Sequence, residues 1–452
     1  MFAAMAYIIP TNANMLSMTG IPFGAVVLAT CIAAAAGTAL MSLWANLPYG
    51  MAPGMGLNAF FTFTIVFTLG FSWQQALAVV FLSGVVDLVV TVTGVRKHII
   101  ASIPKALRTA MGVGIGLFIA YIGVKNAGLL QFTADPGQST TLSDGTVISQ
   151  GSAVPAMVPL NDKLLILAVI AILLTVILYV LKVPGAILIS IIVMTIVALI
   201  AGVASFPWTT YFGSLGQAFG DLGSVFGQSI VSIPSLFAHP DKIILAIATI
   251  FAVSMTGLFD ELGTSLGLGR SSGLFTEQEV DQVASTNGFT TRFAKSLVPP
   301  SIATMFGSLF GTSNTTTYVE SSTAIGAGGK TGLTSITTAI AFLACILLTP
   351  VAEGVPGWAT APALIVVGVL MMSRIGDIDW SDLNTLEETI PAFLTIIIMP
   401  FAYSITTGIA VGTIVYCLIK LVRGKIKQIH PVLAVVAVLF VAYFVNLAVN
   451  AG

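Results

Sequence analysis

The sequence predicts an all-α polytopic membrane protein, with about fourteen transmembrane segments arranged as a seven-plus-seven inverted repeat whose third and tenth spans are broken. Three observations lead there. The 452 residues are 56% hydrophobic and 8% charged, with a mean hydropathy of +1.02, too apolar for the surface of a soluble domain. No Asp, Glu, Lys or Arg precedes Asp87, and uncharged tracts then recur to the end of the chain, many near the ~20 residues that a helical crossing needs. The same ordinal span is irregular in both halves.

In order, the expected spans cover roughly 1–17, 22–43, 54–69, 75–94, 105–124, 164–181, 184–204, 243–266, 296–310, 316–328, 332–351, 360–373, 389–402 and 403–421. The apolar tract 432–449 is left over, as a further crossing or as compensation for a re-entrant piece within 389–421. Basic residues orient the chain, because they are retained on the cytoplasmic side. A cytoplasmic N-terminus places Arg96, Lys97, Lys105, Arg108, Lys182, Arg270, Arg292, Lys295, Lys330, Arg374 and the cluster Lys420, Arg423, Lys425 and Lys427 inside. Only Lys125, Lys163 and Lys242 then fall outside. The two long outer loops, 126–162 and 205–242, are rich in Gly, Ser and Thr and hold Asp135, Asp144, Asp162, Asp221 and Asp241.

Composition also excludes. A net charge of −1 leaves no basic patch for nucleic acid. Cys31, Cys345 and Cys417 lie singly in apolar tracts and read as small core residues, while His98, His239 and His430 are scattered near loop boundaries. No HExxH or GxSxG motif supports an enzyme, and no cofactor or metal set is evident. The polar "TNAN" near the N-terminus interrupts any signal-peptide core, so this stretch reads as a first span.

Seven spans per half force the second half to insert upside down, the common architecture of secondary transporters. The third span of each half is short and broken: "NLPYGMAPGMGLNAFF" at 46–61 and "GTSNTTTYVESS" at 311–322. Non-helical backbone survives at membrane depth only where protein or a water-lined cavity satisfies it. A Gly/Pro kink alone does not account for Ser313, Asn314, Thr315, Thr316, Thr317 and Glu320 together. The two segments are therefore expected to cross near the midplane, each leading into a half-helix.

An ionisable side chain at this depth costs on the order of 3 kcal/mol or more, so each one needs a reason. Asp260 and Glu261 lie in the eighth span, Glu320 in the tenth and Asp87 in the fourth. For Asp87 and Glu261 a cavity-edge or packing-related polar contact is at least an equal reading. Asp260 and Glu320, with no basic partner in the adjoining spans and no evident all-oxygen Na⁺ cage, are candidate proton-coupling residues, and Glu261 joins them. Set beside the amides of Asn12, Asn14 and Asn58, these acids suit a flat, neutral, hydrogen-bonding solute and would repel an anion.

The stretches "AMAYIIPTNANML", "NLPYGMAPGMGLNAFF", "GLFDELGTSLG" and "GTSNTTTYVESSTAIGAGGKTGLTS" resemble the signatures of the AzgA-like purine permeases, the hypoxanthine, guanine and adenine branch of the nucleobase–ascorbate transporter superfamily. The resemblance covers nearly the whole chain in order. It implies proton symport of a purine nucleobase across a prokaryotic inner membrane, without a cofactor. It further implies a core (1–95 and 243–352), a gate (96–242 and 353–452) and homodimerisation through the gate. Because the polar site residues fall on core spans while the gate spans 164–204 and 360–421 are nearly uniform in apolar character, the core is expected to move against the gate as an elevator. For substrate binding the resemblance points to Asp260, Glu320 and Asn58, then to Asn12 and Thr317. The chain departs from the family's D-x-x-D-T-x-G-T pattern, with Gly257 at the first acidic position and Glu261 at the Thr position. The N-P-x-I-L pattern reads Asn12-Ala13-Asn14-Met15-Leu16. Uracil, xanthine or an inorganic anion carried by the same architecture are the alternatives.

Overall fold

A computed structural model describes residues 1–93, 104–134, 139–141, 147–149, 153–206, 211–238, 240–276, 289, 291–380 and 386–450. The orientation markers Arg96 and Lys97, the loop acids Asp135 and Asp144, and His98 and His239 lie outside the described residues, as do the side chains of Arg270 and Asp241.

A helix stands in each of the fourteen expected stretches. The first half contains α1 (Ile8–Ser17), α2 (Phe23–Leu40), α3 (Met55–Ala59, running on as a π-helix over Phe60–Thr68), α4 (Trp73–Val92), α5 (Lys105–Asn126), α6 (Lys163–Val180) and α7 (Ala186–Ile200). The second contains α8 (Pro240–Ser271), α9 (Pro299–Phe310), α10 (Ser321–Gly326), α11 (Gly332–Ala344), α12 (Gly357–Met372), α13 (Leu386–Phe401) and α14 (Ile405–Val422). The leftover tract forms α15 (Pro431–Asn450), against α14 and α8. Among the described residues, eight helices are long and apolar enough to cross a membrane. The protein is a multi-pass membrane protein.

The all-α expectation needs correction, because three two-stranded antiparallel ladders are present. In the 126–162 loop, β2 (Leu130–Ala134) pairs with β5 (Ala153–Met157), and β3 (Ser139–Thr141) with β4 (Val147–Ser149). The third ladder joins the two broken spans, β1 (Met51–Pro53) to β6 (Thr315–Thr317). The 205–242 loop is likewise more than a loop. It carries a helix over Tyr211–Val225, whose Ala218, Leu222 and Val225 recur at helical spacing and are buried, and which packs on α2.

Packing separates two groups of helices. α2 carries α1, α9 and α11, and α4 carries α8 and α9; separately, α5, α12, α13 and α14 pack on one another, with α6 and α7 outside α12. The second group is built on close backbone approach. A Cβ on Gly368 would stand 2.6 Å from the Gly116 carbonyl oxygen, and one on Gly116 would stand 2.8 Å from that of Gly368. Small residues of this kind let membrane helices gain dispersion contact where no hydrophobic effect drives them together. At the end of this group Glu387 pairs with Lys420 at 2.8 Å and Lys425 at 3.0 Å, and these bonds hold its carboxyl down to about 2. Since no Cβ fits at the crossing, Gly368→Val should lower stability by about 1–3 kcal/mol. Gly112→Val, on the same α5 but with nothing within 4 Å, should change it much less; melting curves of the two purified variants in detergent check this.

Candidate functional site

Each broken segment starts where a left-handed residue ends a helix. Asn46, at φ 51°, follows the π-turn that closes α2, and Gly311, at φ 100°, follows α9. Both types tolerate that conformation, glycine without penalty. At Gly311 a side chain would also meet Val225, 2.3 Å from the Cβ position.

The chain then runs extended, and β1 and β6 lie antiparallel with Met51 opposite Thr317, Ala52 opposite Thr316 and Pro53 opposite Thr315. The ladder continues at both ends, as Tyr318 N–H donates to Gly50 O and Gly54 N–H to Asn314 O, each at 2.9 Å. A two-stranded ladder leaves its outer edges open, and side chains close them. Thr38 of α2 accepts from Met51 N–H at 2.9 Å and donates to Met51 O at 3.0 Å. Thr304 of α9 treats Thr315 in the same way, at 3.1 and 3.4 Å. The second helix of each half thus offers one threonine to both backbone groups of one strand residue. On the far side Ser335 donates to Leu47 O and Tyr49 O, and Ser321 accepts from Gly50 N–H.

Residues 312–314 are anchored one by one. Asn12 of α1 donates to Thr312 at 2.9 Å and to Thr30 of α2 at 2.7 Å, Ser313 donates to Asn58 Oδ1 of α3, and Asn314 donates to Ser83 of α4 at 3.1 Å. Asn12 and Asn58, expected as substrate contacts, are fully buried here and position the turn that feeds β6. Thr317, also expected to meet substrate, instead gives its hydroxyl and its N–H to Glu261, at 2.9 and 3.0 Å. Glu261 further accepts from Ser265 at 2.7 Å. Both of its oxygens are engaged, and through Thr317 it holds β6.

Asp260 and Glu320 are partly accessible. Asp260 projects from another face of α8 than Glu261, within reach of the Thr316 side chain. Glu320, just past β6, accepts from the Tyr7 hydroxyl at 2.7 Å, with the Tyr318 ring 6.5 Å from that of Tyr7. The expectation that no basic residue approaches these acids is corrected by Arg374. Its guanidinium packs where a Cβ on Gly263 would stand 2.6 Å away, one turn beyond Asp260, and its charge reaches that carboxyl.

The site residues that sequence reading passed over are Tyr7, Thr38, Thr304 and Arg374. Tyr7 carried a usable signal: a phenol within an uncharged span needs a partner. The arrangement offers two carboxyls, a phenol and aromatic faces beside a rigid extended ladder. It suits a planar solute rich in N–H groups.

Residues 1–411 match the model of the permease family, Xan_ur_permease. The chain belongs to this family. The permease is 36% identical over 448 residues to the adenine permease AdeP of Escherichia coli, covering 97% of this chain and 89% of that protein. It is 36% identical over 455 residues to the guanine/hypoxanthine permease PbuG of Bacillus subtilis, covering 99% and 94%. These relatives agree with the AzgA-like resemblance carried by the four motifs, within the nucleobase–ascorbate transporter superfamily. In fold the permease is similar to the transmembrane domain of the cyanobacterial bicarbonate transporter BicA, with a TM-score of 0.58 at 15% identity over 91% of this chain and 96% of that one.

Because each threonine clasp serves two backbone groups that have no water to turn to, Thr38→Val and Thr304→Val should each destabilise the permease by about 1–3 kcal/mol. The exposed Thr93→Val should be close to neutral. Thermal melts of the three variants decide it, and equal melting of all three would contradict the role given to the clasps.

Proposed function

We propose that this permease imports purine nucleobases by proton symport across a prokaryotic inner membrane. The carrying observation is the antiparallel pairing of β1 with β6, which sets Asp260 and Glu320 beside one extended ladder. The names of the adenine and guanine/hypoxanthine relatives support the substrate class. Asp260 and Glu320 are the principal substrate contacts. Tyr7 orients Glu320 without supplying a counter-charge, so the carboxyl keeps acceptor capacity for the N–H groups of a base. Asp260, with Thr316 beside it, carries the coupling proton. Two carboxyls select against an anion, which disfavours transport of inorganic anions by the same fold.

The matching clasps of Thr38 and Thr304, and the matching left-handed exits at Asn46 and Gly311, support a seven-plus-seven inverted repeat, and the distribution of Lys and Arg supports a cytoplasmic N-terminus. The packing of α1–α4 with α8–α11, apart from α5–α7 with α12–α14, supports a core of 1–95 and 243–352 against a gate of 96–242 and 353–452. In this reading the gate dimerises, lipid surrounds it, and the core slides as an elevator, carrying both acids and the ladder together. The Arg374–Gly263 contact joins gate to core and must break as the core moves.

In proteoliposomes, uptake of labelled hypoxanthine should follow an imposed pH gradient and collapse with a protonophore. Asp260→Asn, which mimics the protonated acid, should bind purine yet lose accumulation, whereas Glu320→Gln should weaken binding itself by about 1–3 kcal/mol for the mismatched contact. Strict Na⁺ dependence with indifference to the pH gradient would contradict the coupling, and wild-type affinity in Glu320→Gln would contradict the binding role.

A further inference from the structure

The turn between α14 and α15 gathers positive charge. α14 ends at Val422, and Gly424, at φ 65°, turns the chain so that Lys425 N–H reaches back to Lys420 O at 2.9 Å. That closure brings the side chains of the turn to one carboxylate, Glu387, in the first turn of α13. Lys420 stands 2.8 Å from its Oε1, Lys425 3.0 Å from the same oxygen and Arg423 3.4 Å from Oε2. Lys427 is exposed and joins no ion pair among the described residues. Even with Glu388 counted beside Glu387, the group holds four cations to two carboxylates.

Basic residues on the cytoplasmic side are ordinary in a membrane protein. Three of them on one carboxylate are not, because each adds repulsion that a single negative charge does not offset. Lys420 is buried and committed to protein, to Glu387 and to Gln428 Oε1 at 3.0 Å. Arg423 and Lys425 keep 51% and 37% of their side-chain surface open, so together with Lys427 they offer donors outward.

The second observation lies beside the cations. Leu418 and Val422 of α14, Ile426 of the turn, and Val435 and Val438 of α15 are all exposed. α15 buries another stripe, Leu433, Val436, Ala437 and Phe440, and packs on α14 and α8. The basic turn is therefore flanked by uncovered apolar side chains on the two helices that leave it.

A soluble anion would meet the cations and leave those side chains bare. A phospholipid with an anionic headgroup meets both. We propose that the α14–α15 turn is a binding site for an anionic phospholipid, whose phosphate accepts from Arg423, Lys425 and Lys427 while its acyl chains lie on the exposed residues of α14 and α15. With the N-terminus cytoplasmic, this lipid belongs to the inner leaflet, whose anionic headgroups attract basic clusters of this size. The bound phosphate offsets the surplus charge and so stabilises the hairpin. The site stands apart from the two acids of the purine site and does not depend on the proton-symport reading.

Melting of the purified, delipidated full chain in neutral detergent tests this. Palmitoyl-oleoyl phosphatidylglycerol should raise the melting temperature by about 3–6 °C, while phosphatidylcholine with the same chains should add much less. Arg423→Gln combined with Lys427→Gln, which leaves Lys420 and Lys425 on Glu387, should lose most of that gain, and native mass spectrometry should retain one fewer phosphatidylglycerol per chain. Lys105→Gln combined with Lys182→Gln removes two exposed cations elsewhere on the cytoplasmic side and should keep the gain. Equal stabilisation by the two lipids would overturn the inference, as would a full gain in the Arg423 and Lys427 variant or an equal loss in the Lys105 and Lys182 variant. Inorganic phosphate and glycerol phosphate separate the sources: if either stabilises the wild type as much as phosphatidylglycerol does, the turn takes a free phosphate and the lipid assignment fails.

Discussion

A bilayer offers no partner to an open stretch of backbone, and residues 46–54 and 311–320 are two such stretches placed against each other. Their mutual ladder satisfies only the inward-facing groups. The outer ones draw on Thr38, Thr304, Ser335, Ser321 and Glu261, each from a different helix. Most of the polar side chains in this part of the molecule are thereby committed to backbone. Few remain for chemistry.

That commitment divides the acids. Glu261 and Asp260 are neighbours in sequence, yet α8 turns one into the packed interior, where three donors meet it, and the other toward Thr316 and the Arg374 charge. Glu320 lies just beyond the ladder with a single phenolic donor. A carboxyl saturated by protein donors holds structure, whereas one with capacity to spare can meet a solute or a proton. The same ladder keeps the spare carboxyls in fixed relation to each other, as the proposed elevator movement would require of the part that moves.

Much of this was legible in the sequence. Polar residues at positions 313–317 inside an apolar chain could only mean satisfied non-helical backbone, and the matching irregularity at 46–61 located its partner. What could not be read was assignment. Tyr7 and Glu320 stand 313 residues apart, and nothing in either sequence neighbourhood joins them. Asn12, Asn58 and Thr317 have the donors and acceptors of a binding site, and only the folded chain shows their side chains meeting Thr312, Ser313 and Glu261. Arg374 was invisible because its approach depends on the missing side chain at Gly263. In the 205–242 stretch, the glycines at 213, 216, 220 and 223 masked a helix that Ala218, Leu222 and Val225 had marked by their spacing.

The central claim is that a purine sits at the paired broken segments, between Asp260 and Glu320. A cryo-EM map of the permease with bound hypoxanthine tests it most directly. Planar density beside β1 and β6, within hydrogen-bonding distance of both carboxyls, is the expected result. Density elsewhere, with both carboxyls unengaged and the ladder unoccupied, would contradict it.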